Sequence, residues 1–306
     1  MERKLLRHTL RRLGFAILFV FIVSSCSLLL AHLAPGDATT EMLGQGASPE
    51  AIASERARLG LDRPLVEQYA DWLAHVARLD LGESARYRRP VADLIGERIG
   101  HTARLGAAAL TLATLIGLPL GVLTGARRGW AGSLAQTASI GVLSLPPLVS
   151  ALLLVFLAAR TGWYPAGGGH LLLPTLALAL PFAATIQQLQ SQSMAAALAE
   201  PHIAAARARG IPESRLVWRH ALRDALRPVL AVYGIIIGTL FSGSFVVEFV
   251  TSFPGLGRLM YEALVSRDTY LVAGCAATGA VFLAAGTLIA DLALVAIDPR
   301  LRQEAS

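Results

Sequence analysis

Six arginines lie between residues 200 and 228, at Arg207, Arg209, Arg215, Arg219, Arg223 and Arg227, and the last four recur at every fourth position. At that spacing they fall near one face of a helix, with Leu216, Val217, Ala221, Leu222 and Ala225 on other faces that can pack. Such a basic amphipathic helix suits an anionic surface. Other chemistry-bearing residues are sparse. Lys4 is the only lysine, so there is no G-x-x-x-x-G-K-[ST] phosphate loop and no buried amine for a Schiff base. The chain is therefore not its own motor. The histidines (His8, His32, His75, His101, His170, His202, His220) are scattered, without an H-E-x-x-H pair, and offer no metal site. No serine sits in a G-x-S-x-G setting. An ion-driven carrier needs ionisable groups deep in the bilayer. Only Glu248 and Asp291 stand out in the apolar runs, each near enough to an end to reach an interface as a capped or water-facing carboxylate.

The elements that position these residues are membrane helices. The chain has 306 residues, of which 54% are hydrophobic and only 16% charged, and its mean hydropathy is +0.55. That is too apolar for an ordinary soluble domain. A span needs about 20 apolar residues, and six runs qualify: 13–34, 105–126, 134–159, 171–190, 229–250 and 271–297. None alternates polar and apolar residues as a barrel strand does, so the fold class is an all-α polytopic membrane protein with six transmembrane helices. The first run is longer than a signal core, and "HLAPGD" after it lacks a small-x-small cleavage site, so it reads as a retained anchor.

Positive charge in the short loops sets the orientation. The N-terminal cluster, Arg127 and Arg128, the 200–228 hairpin and the Arg300/Arg302 tail all fall on one side, which predicts cytoplasmic N- and C-termini. The net charge of +6 reports this topology and an attraction to membrane lipids, and nucleic acid is not an expected partner. Cys26 and Cys275 lie inside predicted spans without metal-ligand spacing and read as packing residues.

Along the chain the organisation divides into 1–34 (cytoplasmic segment and first span), 35–104 (extracytoplasmic, with short helices) and 105–306 (a five-helix core containing the cytoplasmic loop 195–228). In the extracytoplasmic part, Ser48 with Pro49 and Glu50 marks a helix start and Gly60 a stop. A second helix from Pro64 places Leu65, Tyr69, Trp72, Val76 and Leu79 on one stripe, which packs on the protein's own rim or docks a partner. Pro119, Pro146, Pro147, Pro174 and Pro181 interrupt spans and predict kinks. Gly117 and Gly121, and Gly274, Gly279 and Gly286, permit close helix approach, with no partner readable.

The 200–228 stretch divides at Gly210. "HIAAARARG" is a short helix with a left-handed glycine cap, and Pro212 and Glu213 open a second helix running to Pro228. This helix, glycine, helix pattern resembles the cytoplasmic loop, often called the EAA loop, of the inner-membrane permease subunits of binding-protein-dependent ABC importers. "AARARG" with "RHALRDALRP" narrows the resemblance to the dipeptide/oligopeptide/nickel permease family. The segments "LAPGD", "LGLDRPLVEQYADWL", "LDLGES", "VVEFVTSFPGLGRLMYEAL", "RDTYLVAG" and "DLALVAIDPRLR" are similar to its first-type permease, in order along nearly the whole chain.

The resemblance implies a type I ABC importer permease fold with no catalytic site and no cofactor of its own. ATP would be bound by two cytoplasmic ATPase subunits, and the other partners would be a second permease subunit, forming a heterodimer, and an extracytoplasmic substrate-binding protein. It places the coupling contact at Pro201, His202, Ile203, Ala205, Ala206, Arg207 and Gly210, in a multi-pass protein of the inner membrane. Gln187 is the expected pathway residue. The family commonly has an acid at the position of Ala196, an aromatic at His202, a base at Ala204, and arginines near Gln188 and Gln190, so the polar contacts with the partner ATPase differ here. The competing class is a secondary transporter or channel driven by an ion gradient, which duplicated inverted halves or a deep charged site would favour. The resemblance leaves the solute open among short peptides, nickel or other chelates, heme and sugars.

Overall fold

The computed structural model of the chain describes residues 2–33, 39, 48–78, 80–126, 129–162 and 169–297, with residues 2–13, 32, 33, 131 and 290–297 described by backbone alone. Leu79, Arg127, Arg128, Arg300 and Arg302, and the side chains of Lys4 and Asp291, lie outside this description. Among the described residues all regular structure is helical, apart from an isolated bridge between Glu83 and Pro90. The helices are α1 (Glu2–Leu33), α2 (Pro49–Arg58), α3 (Leu65–Ala77), α4 (Val91–Ala126), α5 (Trp130–Leu143), α6 (Pro147–Thr161), α7 (Leu172–Leu198), α8 (Pro201–Ala208), α9 (Glu213–Val250), α10 (Leu256–Val265) and α11 (Thr269–Ile297).

Five of these helices are long and apolar enough to cross a membrane, and α5 with α6 makes a sixth span if the pair is counted together. The all-α polytopic fold is thus as expected, with differences in detail. The third span is not one kinked helix over 134–159 but two helices bent by 101°. Pro146 and Pro147 explain the break. Each proline drives its predecessor out of the α region, so Leu145 and Pro146 cannot both stay helical, and Pro146 is extended at φ −58°, ψ 148° as the cap of α6. Pro174 falls in the first turn of α7, where its missing N–H costs no helical bond, so it makes no kink. Pro119 and Pro181 do lie inside helices. α4 starts at Val91, well before the apolar run at 105, because Asp93, Glu97, Arg98 and Arg104 end the run without ending the helix.

The chain folds as two units, one comprising Ala103–Phe253 with the two chain ends, the other Leu10–Thr102 with Pro254–Phe282. In the first, α7 is central and packs against α5, α6 and α9. Its apolar core joins Leu105, Ala109 and Ala113 of α4, Ala151 of α6, Leu178 and Ile186 of α7, and Val229, Ile236 and Val247 of α9. α4 meets α7 along three glycines spaced by four. A Cβ on Gly117 would stand 2.6 Å from the carbonyl oxygen of Ala183, and one on Gly121 would stand 2.5 Å from Cβ of Gln190. A Cβ on Gly125 would collide with the carbonyl of Ser191 and with Met194. Only glycine allows the two backbones this close, which in lipid is a main source of helix association. Glu248 was expected within reach of the outer interface but is fully buried, where the chain turns back so that the Phe253 N–H donates to the Glu248 carbonyl at 2.9 Å.

In the second unit the middle of the apolar stripe of α3 is turned inward, while Leu65 at its start is 38% exposed. Trp72 is 2% exposed and clusters with Leu28 of α1 and Ala273 of α11. Tyr69 stacks on it at 5.8 Å and donates its hydroxyl proton to Ser25 Oγ at 3.0 Å. Tyr69, Trp72 and Val76 of the stripe therefore pack on the protein's own rim. Ser48 caps α2 by accepting from the Ala51 N–H at 3.2 Å, and Gly60 ends that segment at φ +67°. Asp268, 1% exposed, accepts from Ser84 Oγ at 2.5 Å, the Arg86 N–H at 3.1 Å and the Leu271 N–H at 3.1 Å. It thereby ties the 84–86 turn to the start of α11. Burial pushes its carboxyl above the usual aspartate range, against the pull of those donors.

Candidate functional site

The hairpin formed by α8 and the start of α9 takes its shape from local chemistry. Glu200 is extended at φ −65°, ψ 143°, and Pro201 opens α8 at its first position, where a proline is pre-set for the helix. At the other end Gly210 adopts φ +80°, a left-handed conformation that a Cβ would strain. Its N–H donates to Arg207 O at 3.0 Å, and the Ile211 N–H reaches Ala206 O at 3.3 Å. Pro212 then caps α9, with Glu213 in the first turn to complement the helix dipole.

One face of α8 holds it to the rest of the unit. Ile203 and Ala206 are buried in a cluster with Val122 of α4, Met194 and Ala197 of α7, and Leu216, Ala221 and Ala225 of α9. Complete burial of one such side chain stabilises by roughly 1.5–3 kcal/mol, so α8 is a fixed ledge. The remaining face is open: Pro201, His202, Ala204, Ala205, Arg207, Ala208, Arg209 and Gly210 are all exposed. Of the seven expected coupling residues, Pro201, His202, Ala205, Arg207 and Gly210 thus lie on the open surface. Ile203 and Ala206 do not. The structure gives that pair the task of anchoring α8, for an apolar reason that the i, i+3 spacing makes clear.

Polar links reinforce the same geometry. Arg207 donates to both carboxylate oxygens of Glu213, from Nε at 2.5 Å and Nη2 at 3.2 Å. That hydrogen bond holds the Glu213 carboxyl below the usual glutamate range and raises Arg207 correspondingly. Both groups face water, so the pair directs more than it stabilises. His202 Nε2 lies 3.4 Å from Asp224 Oδ2, and Arg227 Nη2 lies 3.6 Å from Asp224 Oδ1.

α9 departs from the expected form in two ways. It does not stop at Pro228 but continues to Val250, because Ala225 and Val229 on either side are buried in core positions and lipid-phase helices tolerate proline where neighbours support the freed carbonyl. Its stretch Leu216–Ala221 is π-helical. Arginines every fourth residue would drift around a 3.6-residue helix, and a turn with i→i+5 bonding winds more slowly and counters that drift. Arg215, Trp218, Arg219 and Arg223 are accordingly exposed, while Leu216 and Ala221 remain inside.

Gln187 is 1% exposed, and its Nε2 donates to Thr124 Oγ1 of α4 at 2.9 Å. Its side chain is closed off from solvent at the seam of α4 and α7. Glu213, Asp224 and Trp218 were missed as parts of the hairpin surface. Glu213, six residues after Arg207 and across a glycine turn, carried a signal as an opposite charge. Asp224 and Trp218 carried none, since their placement depends on the π turn.

Comparison with known proteins gives concordant matches. The profile described as binding-protein-dependent transport system inner membrane component matches residues 117–303. The profile of the N-terminal region of such membrane components matches residues 5–105. The chain is 32% identical over 304 residues to the glutathione transport system permease protein GsiC of Escherichia coli strain K12, covering 97% of this chain and 99% of that protein. It is 33% identical over 310 residues to a Brucella abortus (strain 2308) protein named "Putative peptide transport system permease protein", covering 96% and 98%.

Proposed function

This chain belongs to the family of binding-protein-dependent transport system inner membrane components, and on that premise we propose that it forms half of the solute pathway of an ATP-driven importer. It is a multi-pass permease of the inner membrane, and the expectation of an ion-gradient carrier is set aside by the family to which it belongs. In this reading the other half of the pathway is a second permease subunit. Two cytoplasmic ATPase subunits bind and hydrolyse ATP, and an extracytoplasmic binding protein delivers the solute. N- and C-termini are cytoplasmic, in keeping with the positive short loops. The names of relatives, which cite glutathione and peptides, support a short peptide or peptide-like solute.

The observation that carries this reading is α8: a helix capped by proline and left-handed glycine, buried on one face and bare on the other. Its open face is the surface through which closure of the ATPase pair pushes on α7 and α9, and a ledge rigid at its base transmits such a push as a rigid-body movement. Gln187, at the α4–α7 seam, meets the solute only as those helices separate in the cycle. A cysteine at Ala205 and an oxidant test the docking. A disulfide to a cysteine in the ATPase surface, formed in the assembled transporter, is expected; none to any ATPase position overturns the assignment.

A further inference from the structure

α9 begins well before the apolar segment it becomes. That segment starts at Val229, and Trp218 precedes it by 11 residues (229 − 218), which at about 1.5 Å per residue is roughly 16 Å of rod. The headgroup layer on each side of a bilayer is only about 5–7 Å thick, and a helix tilt of about 40° still leaves roughly 12 Å. Trp218 and the residues before it therefore stand clear of lipid. Arg223 and Arg227, close to Val229, are within reach of the headgroups.

The part that clears the lipid bears a distinct patch. Arg215, Trp218 and Arg219 lie together where α9 enters its π turn, and all are exposed, Trp218 by 52%. The two acids of this stretch of α9 are already engaged: Glu213 by Arg207, and Asp224 by His202 and Arg227. Among the described residues Arg215 and Arg219 form no ion pair. Uncompensated guanidinium charge around an exposed indole is the composition that dominates binding at protein interfaces, and its sign selects an acidic partner. A second copy of this chain is a poor partner, since it presents the same positive face.

We propose that Arg215, Trp218 and Arg219 form a second docking surface, beyond α8, for an acidic patch on the cytoplasmic ATPase subunit. This rests on the reading of α8 as the ATPase-docking helix, and Glu213, bonded to Arg207 and two residues from Arg215, makes the two surfaces neighbours. The test is a photo-crosslinking amino acid at position 218, or at 205 for reference, in the assembled transporter in native membranes. Adducts to the ATPase from both positions are expected. An ATPase adduct from 205 alone, with lipid or the second permease captured at 218, overturns this surface and leaves the α8 reading in place. No ATPase adduct from either position overturns both. In a second arm, Arg215→Gln with Arg219→Gln is expected to weaken ATPase binding to nanodisc-embedded permease about tenfold at low salt and to flatten its salt dependence. Unchanged affinity and salt slope overturn the proposal.

Discussion

Arg207 grips Glu213 with two arms of its guanidinium across the turn made by Gly210, so one ion pair joins the end of α8 to the start of α9. The pair is a brace between two segments whose angle the glycine sets. Charge reversal at one end separates bracing from direct contact with a partner. Arg207→Glu is expected to reduce ATP-driven uptake at least about tenfold by placing two acids together. Adding Glu213→Arg is expected to restore most of it. Failure of the swapped pair to recover, with normal membrane levels of both variants, assigns Arg207 to a partner instead.

Ile203 is the apolar root of the same ledge. Ile203→Ala leaves a cavity among Val122, Met194 and Leu216 and is expected to cost about 2–4 kcal/mol of local stability. Hydrogen exchange should then speed up across 201–209 far more than in α7. Uniform exchange along the chain contradicts the anchoring role.

The glycine seam gives a prediction about packing. Gly121→Val places a side chain into Gln190 and the Gln187 carbonyl and is expected to lower the melting temperature of the purified chain, at about 1–3 kcal/mol for overpacking. Gly106→Ala, on the same helix with nothing within 4 Å of its added Cβ, should be neutral or stabilising by up to about 1 kcal/mol. Equal behaviour of the two variants would remove the seam.

Asp268 supplies a pH prediction. Its carboxyl is raised by burial, so its charged form disfavours the fold. This group's contribution to stability is fully present below the ordinary aspartate value and is lost as pH rises through the raised one. Relative to Asp268→Asn, which has no such titration, the wild-type chain should therefore gain thermal stability as pH falls from neutral towards that ordinary value. Thermal unfolding of both chains at a series of pH values measures this. A difference that stays constant, or shrinks on acidification, contradicts the sign.

Much of the 200–228 hairpin was legible in the sequence because its punctuation is local. Pro201, Gly210, Pro212 and Glu213 act through their own backbones or dipoles, and the structure places α8 and the left-handed turn where they predict. What was not legible depends on partners distant in sequence. Ile203 looked like a contact residue because no rule of spacing says that Val122 and Met194 wait on its inner side. Pro228 looked like a terminus because local propensity favours a stop, whereas core positions at Ala225 and Val229 carry the helix through. The prolines at 146 and 147 announced a disturbance, but its size of 101° is set at Pro146, which is extended and so separates the two helices. Gly117 and Gly121 announced a close approach, and only the fold shows that Gly125 extends it and that α7 is the neighbour.

The central claim is that the force of transport enters through α8 and depends on the left-handed turn behind it. Gly210→Pro tests this most directly, because proline can neither adopt φ +80° nor donate the N–H bonded to Arg207 O. The variant should be measured in the complete transporter, reconstituted into proteoliposomes with its binding protein, following ATP hydrolysis and solute uptake together. Loss of uptake, with the permease still inserted and hydrolysis no longer stimulated by solute, is the expected result. Uptake at the wild-type rate per ATP hydrolysed would contradict the account.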